Sequence, residues 1–147
     1  MEATNNSIST ESPLGILMLD THFSRPAGDA GNPASWPFPV RIERVDGAHA
    51  RPIVEGRGTD VGAFVAAGLR LAQKGVCAIT TTCGFLVRHQ IALAAALPVP
   101  ILTSTLTQYA RLTRQLQPGK RMAIMTIAPE SLDPAVLASA GIESSAL

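Results

Sequence analysis

The sequence predicts an α/β domain built on a parallel sheet with helices on both faces. Short apolar runs, Leu14–Leu19, Val76–Ile79 and Val99–Leu102, recur with helical stretches between them, the alternation that makes crossover connections. Apolar residues make up 46% of the chain and charged residues only 16%, so most strands must be covered on both faces. Aromatics are 4%, which leaves Ala, Val, Leu and Ile to pack the helices closely onto the sheet. A length of 147 residues suits one domain with a real core.

The elements follow in order. Met1–Ser12 is polar and reads as a disordered tail with no secretion signal. Leu14–Leu19 is a buried strand ending at Asp20. Thr21–Pro39 carries Pro26, Pro33, Pro37 and Pro39 and has no period. A loop this long is usually functional, and its Trp36 and Phe38 are placed to close over a cavity or tuck onto the core. Val40–Val45 alternates apolar and charged residues, as in an edge or half-exposed strand. Arg51–Gly58 is irregular. Thr59 or Asp60 caps a helix over Val61–Lys74, with Val61, Phe64, Val65, Leu69 and Ala72 at helical spacing and Gly75 as the stop. A strand over Val76–Thr81 leads to Cys83, and Phe85–Leu97 reads as a helix ending before Pro98. Val99–Leu102 is a buried strand. Thr103-Ser104-Thr105 caps a helix bearing Leu106, Tyr109, Ala110 and Thr113 on one face. Arg121–Ile127 reads as a further strand. Asp133 caps a last helix with Pro134 at its first position and Gly141 beyond its end.

In open parallel sheets ligands bind beyond the carboxyl ends of the strands. Asp20-Thr21, Thr82-Cys83, Thr103-Ser104 and Thr126 all fall there, although Ser, Thr and Asp also leave strands simply to cap the next helix. Cys83 at a helix N-terminus would meet the positive end of the dipole and unpaired N–H groups, which favour thiolate. Cys77 lies about 20 Å back along the same extended segment, too far for a disulfide, so both thiols are expected free, as in the cytoplasm. Arg25, Arg41, Arg51 and Arg57 are the cations that could hold a carboxylate. His22, His49 and His89 show no metal-ligand spacing, and His89 is expected to be a solvated helix residue. No GxGxxG, GxxxxGK[ST] or GxSxG motif occurs, which argues against the usual nucleotide loops and serine hydrolases. A net charge of +1 gives no case for nucleic acid. No apolar stretch reaches the ~20 residues of a membrane span.

These residues resemble the aspartate/glutamate/hydantoin racemase superfamily over about Leu14–Gly141. Asp20-Thr21 matches the pair closing its first strand. Cys83 in TTTCGF matches its reactive cysteine, and GKRMAIMTIAPESLDPAVLASAGI matches the unit crossing to a second lobe. The resemblance implies a flavodoxin-like three-layer lobe over 13–118 carrying Cys83, and the first strand and helix of an incomplete second lobe over 119–147. It implies a cofactor-independent, metal-free racemase of an amino acid or a derivative, a small carboxylate-bearing substrate. Cys83 and Asp20 would be the catalytic residues, Cys83 as one acid/base and Asp20 as a polar support behind it or an acid/base aid. Thr21 and Thr82, with the backbone N–H groups of Gly84 and Phe85, would contact the substrate, the last three binding its carboxylate; Ser104 and Thr126 complete the expected site. Gly84-Phe85 replace the family's Asn-Thr, which favours a bulkier or less polar substrate. The partner cysteine would lie beyond Leu147, so the chain reads as truncated. A single-cysteine malonate decarboxylase or cis-diacid isomerase, and a non-catalytic anion- or partner-binding module, are the alternatives. An uncovered strand at Arg121–Ile127 would expose apolar residues and drive self-association into a homo-oligomer.

Overall fold

The structure, a computed structural model, describes residues 12–57 and 60–143. The expected tail up to residue 11 and the alternative cap Thr59 lie outside them. Four parallel strands form one sheet: β1 (Leu14–Leu19), β2 (Val40–Val45), β3 (Ala78–Thr81) and β4 (Ile101–Leu102). Their spatial order is β2-β1-β3-β4, which is the 2-1-3-4 portion of the 2-1-3-4-5 doubly wound order. The chain runs outward from β1 to β2, then returns across β1 to β3. The order therefore reverses between β1 and β3, where this architecture opens a crevice.

Helix α1 (Ala50–Val54) follows β2, in a stretch expected to be irregular. Helix α2 (Val61–Gln73) follows, with the Asp60 carboxylate accepting from Gly62 N. Gly75 stops it at φ +77°, a conformation that side chains resist. Phe64, Ala67 and Leu71 are buried on its inner face, and α2 lies on β1 and β2. Beyond β3 the expected single helix divides into a 3-10 helix over Gly84–His89 and α3 (Gln90–Ala96). Phe85, Leu86 and Val87 are all buried. Three consecutive buried side chains cannot share one α-helical stripe, and the tighter turn distributes them. His89 is half-buried rather than solvated. A 3-10 turn leads into α4 (Tyr109–Thr113), and α5 (Pro134–Ser139) closes the described chain.

Arg121–Ile127 does not form a strand. Its exposure nevertheless alternates, with Met122, Ile124 and Thr126 half-buried and Met125 and Ile127 fully outward. The apolar period the sequence carries marks one covered side, while pairing requires a neighbouring edge that this segment lacks. Val136, Leu137, Ala140 and Ile142 join the same core cluster as Leu17, Phe64 and Ile79. Asp133 caps α5 through Val136 N and accepts from Arg88 of the 3-10 helix at 3.0 Å. Among the described residues, no helix is long and apolar enough to cross a membrane.

Candidate functional site

The exits of β1, β3 and β4 are fastened to one another by backbone groups and threonine hydroxyls. Thr82 N donates to Leu17 O at 3.1 Å, and Leu19 N donates to Thr82 Oγ1 at 3.5 Å, joining β3 to β1. The Thr81 hydroxyl donates to Thr103 O at 2.8 Å, joining β3 to β4, and accepts from Cys83 N at 3.3 Å. These bonds hold the backbone on either side of Cys83 at the crevice.

A cavity of about 490 Å³ opens there. Cys83, Thr82, Gly84 and Phe85 line it from the end of β3, with Thr21 after β1 and Ser104 after β4. Thr126 lines it from the segment expected to be a strand, beside Ile124 and Leu132. Seven of the eight expected site residues thus share one cavity. Asp20, the eighth, is not among its lining residues. Its carboxylate accepts from Gly47 N at 3.0 Å and from His22 Nε2 at 2.9 Å, with His49 Nδ1 at 4.0 Å. The Gly47 N–H, helped by His22, holds Asp20 below the usual carboxylate pKa against the opposing effect of burial. Asp20 therefore ties the end of β1 to the turn after β2.

Cys83 precedes a 3-10 turn, not an α-helix, so the expected dipole is weak. Burial pushes its thiol above the ordinary value, and the N–H groups of Phe85 and Leu86 oppose this without prevailing. The Cys83 side chain accepts no capping hydrogen bond, and Leu86 N donates instead to Cys83 O at 3.1 Å. The thiolate expected from sequence is corrected to a resting thiol. Cys77 is also free, with Sγ 3.5 Å from Ser12 O.

The site also holds residues the sequence reading passed over or did not distinguish. Phe23, Arg25 and Asp29 enter the cavity from the long loop. Arg25 donates to Asp29 Oδ1 and to Thr21 Oγ1, each at 2.7 Å, and lies over the Phe23 ring at 4.5 Å. In the sequence Arg25 is only one of four cations that could hold a carboxylate, and a loop carries no period that would mark its pairing with Asp29. Trp36 and Phe38, expected either to close over a cavity or to tuck onto the core, are not among the lining residues. They pack on each other, with ring centroids 5.5 Å apart, and Trp36 Nε1 donates to Ala30 O. Among the described residues, no three His, Cys, Asp or Glu side chains gather to hold a metal ion.

No family model matches the chain, and no solved structure matches it. It is similar to dimethylsulfoniopropionate lyase 3 of Emiliania huxleyi (strain CCMP1516), 28% identical over 123 residues, which are 82% of this chain and 32% of that protein. Dimethylsulfoniopropionate lyase 6 of the same organism shows the same identity and coverage. The dimethylsulfoniopropionate lyase of Durusdinium sp. clade D is 26% identical over 129 residues, 82% of this chain and 41% of that protein. The chain spans about a third to two fifths of the length of the curated relatives it matches. These relatives are lyases, not racemases, and they overturn the racemase expectation and the isomerase activities that accompanied it.

Proposed function

We propose that this chain carries a lyase site acting on dimethylsulfoniopropionate by β-elimination, with the Cys83 thiol as its base. The observation that carries the reading is the position of Cys83, half-buried on a cavity lined by the polar exits of adjoining strands. Similarity to named lyases supplies the substrate class.

The substrate bears a carboxylate and a dimethylsulfonium group at the two ends of a two-carbon link. Cys83, as thiolate, takes a proton from the carbon next to the carboxylate. The released electron pair forms the carbon–carbon double bond. The bond to the sulfonium sulfur breaks, and dimethyl sulfide leaves with that bond's electron pair. Acrylate remains, and the Cys83 thiol returns its proton to water. The hydroxyls of Thr82, Ser104 and Thr126 are donors for the carboxylate. Racemisation begins with the same proton removal but needs a second group on the opposite face. A leaving group on the neighbouring carbon removes that need, so one thiol suffices.

Free thiols at Cys77 and Cys83 suit a reducing compartment, and we place the protein in the cytoplasm. Outward Met125 and Ile127 favour self-association, and light scattering of Met125→Ser/Ile127→Ser beside the unaltered chain should show the variant smaller.

The deciding experiment supplies purified chain with dimethylsulfoniopropionate and measures dimethyl sulfide in the headspace. Cys83→Ser should lower the rate by about 10²-fold or more. No release by the unaltered chain, or undiminished release by Cys83→Ser, sinks the reading.

A further inference from the structure

Arg25 and Asp29 are the charged side chains lining the Cys83 cavity, whose other walls are apolar or neutral. Both are substantially shielded, with side-chain exposures of 13% and 28%. The cavity thus offers one cation and one anion, adjacent and mutually neutralised. Arg25 spends one N–H on Asp29 and one on Thr21, out of five that a guanidinium carries. Asp29 receives both Arg25 and Gly31 N on Oδ1, each at 2.7 Å. No described residue donates to Oδ2. The pair therefore has spare donors at one end and a spare acceptor oxygen at the other.

Charge balance decides what such a pair accepts. A simple anion approaching Arg25 is repelled by Asp29, and a simple cation approaching Asp29 is repelled by Arg25. With the pair partly shielded from water, these repulsions exceed those at an open surface. A ligand carrying both charges a short distance apart meets each with its opposite, and the penalties cancel.

We propose that Arg25 and Asp29 together select zwitterionic substrates, Arg25 binding the carboxylate and Asp29 facing the onium group. This deepens the lyase reading, on which the identity of the onium group rests. The two residues are specificity determinants, and the proton transfer stays with Cys83.

The test uses probes that cannot readily eliminate: 3-(trimethylammonio)propionate as zwitterion, propionate as anion and ethyltrimethylammonium as cation, titrated into the full chain by NMR. The unaltered chain should prefer the zwitterion by about tenfold or more over either single charge, as expected for a shielded charge pair. Asp29→Asn keeps an Oδ1 acceptor for Gly31 N while removing the charge. It should lose the preference, with propionate binding tightened. Arg25→Gln should weaken propionate and the zwitterion alike. Should either variant fail to fold by circular dichroism, the probe series on the unaltered chain decides alone. Equal affinity for zwitterion and propionate, or a preference untouched by Asp29→Asn, overturns the inference. Dimethyl sulfide release without a zwitterion preference defeats this inference and spares the lyase reading. A zwitterion preference without release does the reverse.

Discussion

Opposing influences act on the Cys83 sulfur. Burial raises its pKa from the ordinary 9.0, the Phe85 and Leu86 N–H groups lower it, and burial prevails. A base must be deprotonated, so at neutral pH only a small fraction of molecules is ready to act. A thiolate of raised pKa is also the stronger base once formed. The rate of dimethyl sulfide release should therefore climb about tenfold per pH unit from neutrality, levelling only above the ordinary thiol range. A plateau already reached at neutral pH would contradict it. Alkylation of Cys83 by iodoacetamide should follow the same limb, since the thiolate is the attacking form. The place of Cys83 was legible in the sequence, because an apolar strand followed by threonines and a glycine can only end at the sheet's carboxyl edge. Its protonation state was not legible. That state depends on how far the thiol is buried against the core, which strand and helix periods do not report.

At the scale of elements, one side chain clamps the short strand β4 to α3. Gln90, at the start of α3, donates through Nε2 to Ile101 O at 2.9 Å. Its Oε1 accepts from Thr103 N and Thr103 Oγ1, both at 2.8 Å. Thr103 is 1% exposed, so water cannot readily replace the lost acceptor. Gln90→Ala should cost about 2–4 kcal/mol, from two buried donors left unpaired, read as a lower urea midpoint with unchanged slope. A change within the scatter of surface substitutions would refute this clamp. A second element-scale prediction concerns α2, where Gly68 faces Leu97. A Cβ built on Gly68 would stand 2.7 Å from Leu97 Cδ2. Gly68→Ala should therefore destabilise by about 1–3 kcal/mol despite the better helix propensity of Ala; a raised melting temperature would show that Leu97 yields freely. The bounds of helix α2 were readable from Asp60 and Gly75, but its buried face was not: Leu69 of the expected stripe is exposed, while Ala67 and Leu71 are buried beside Phe64. The role of Gln90 was not readable, because it acts across sequence-distant elements. The segment 121–127 misled because alternation records which side is covered, not whether a strand partner exists.

For the whole molecule, pH dependence resides in carboxylates that join separate parts of the chain. Glu43 on β2 accepts from Lys74 Nζ and Arg70 Nε of the α2 region, each at 2.7 Å. The hydrogen bond from Lys74 is the largest influence, and with Arg70 it outweighs burial to hold Glu43 below its ordinary 4.5. Asp133 is lowered from 3.8 first by Val136 N and then by Arg88. Burial pushes Asp29 up, but Arg25 and Gly31 N together outweigh it and leave it below 3.8. Each group binds its proton less readily folded than unfolded. The stability they contribute is therefore complete above the ordinary carboxylate values and drains away as pH falls through the lower folded ones. Partly exposed partners and salt screening keep each contribution modest, so the effect should appear as a gradual acid loss. The urea midpoint should hold steady from about pH 7 to pH 5 and fall between about pH 4.5 and pH 2. Glu43→Gln should be less stable than the unaltered chain at neutral pH and should lose less on acidification, because the group whose ionisation is linked to folding is gone. Parallel acid profiles for the two proteins would mean that Glu43 does not fasten the edge strand to α2, and that the sheet keeps β2 by backbone pairing with β1 alone.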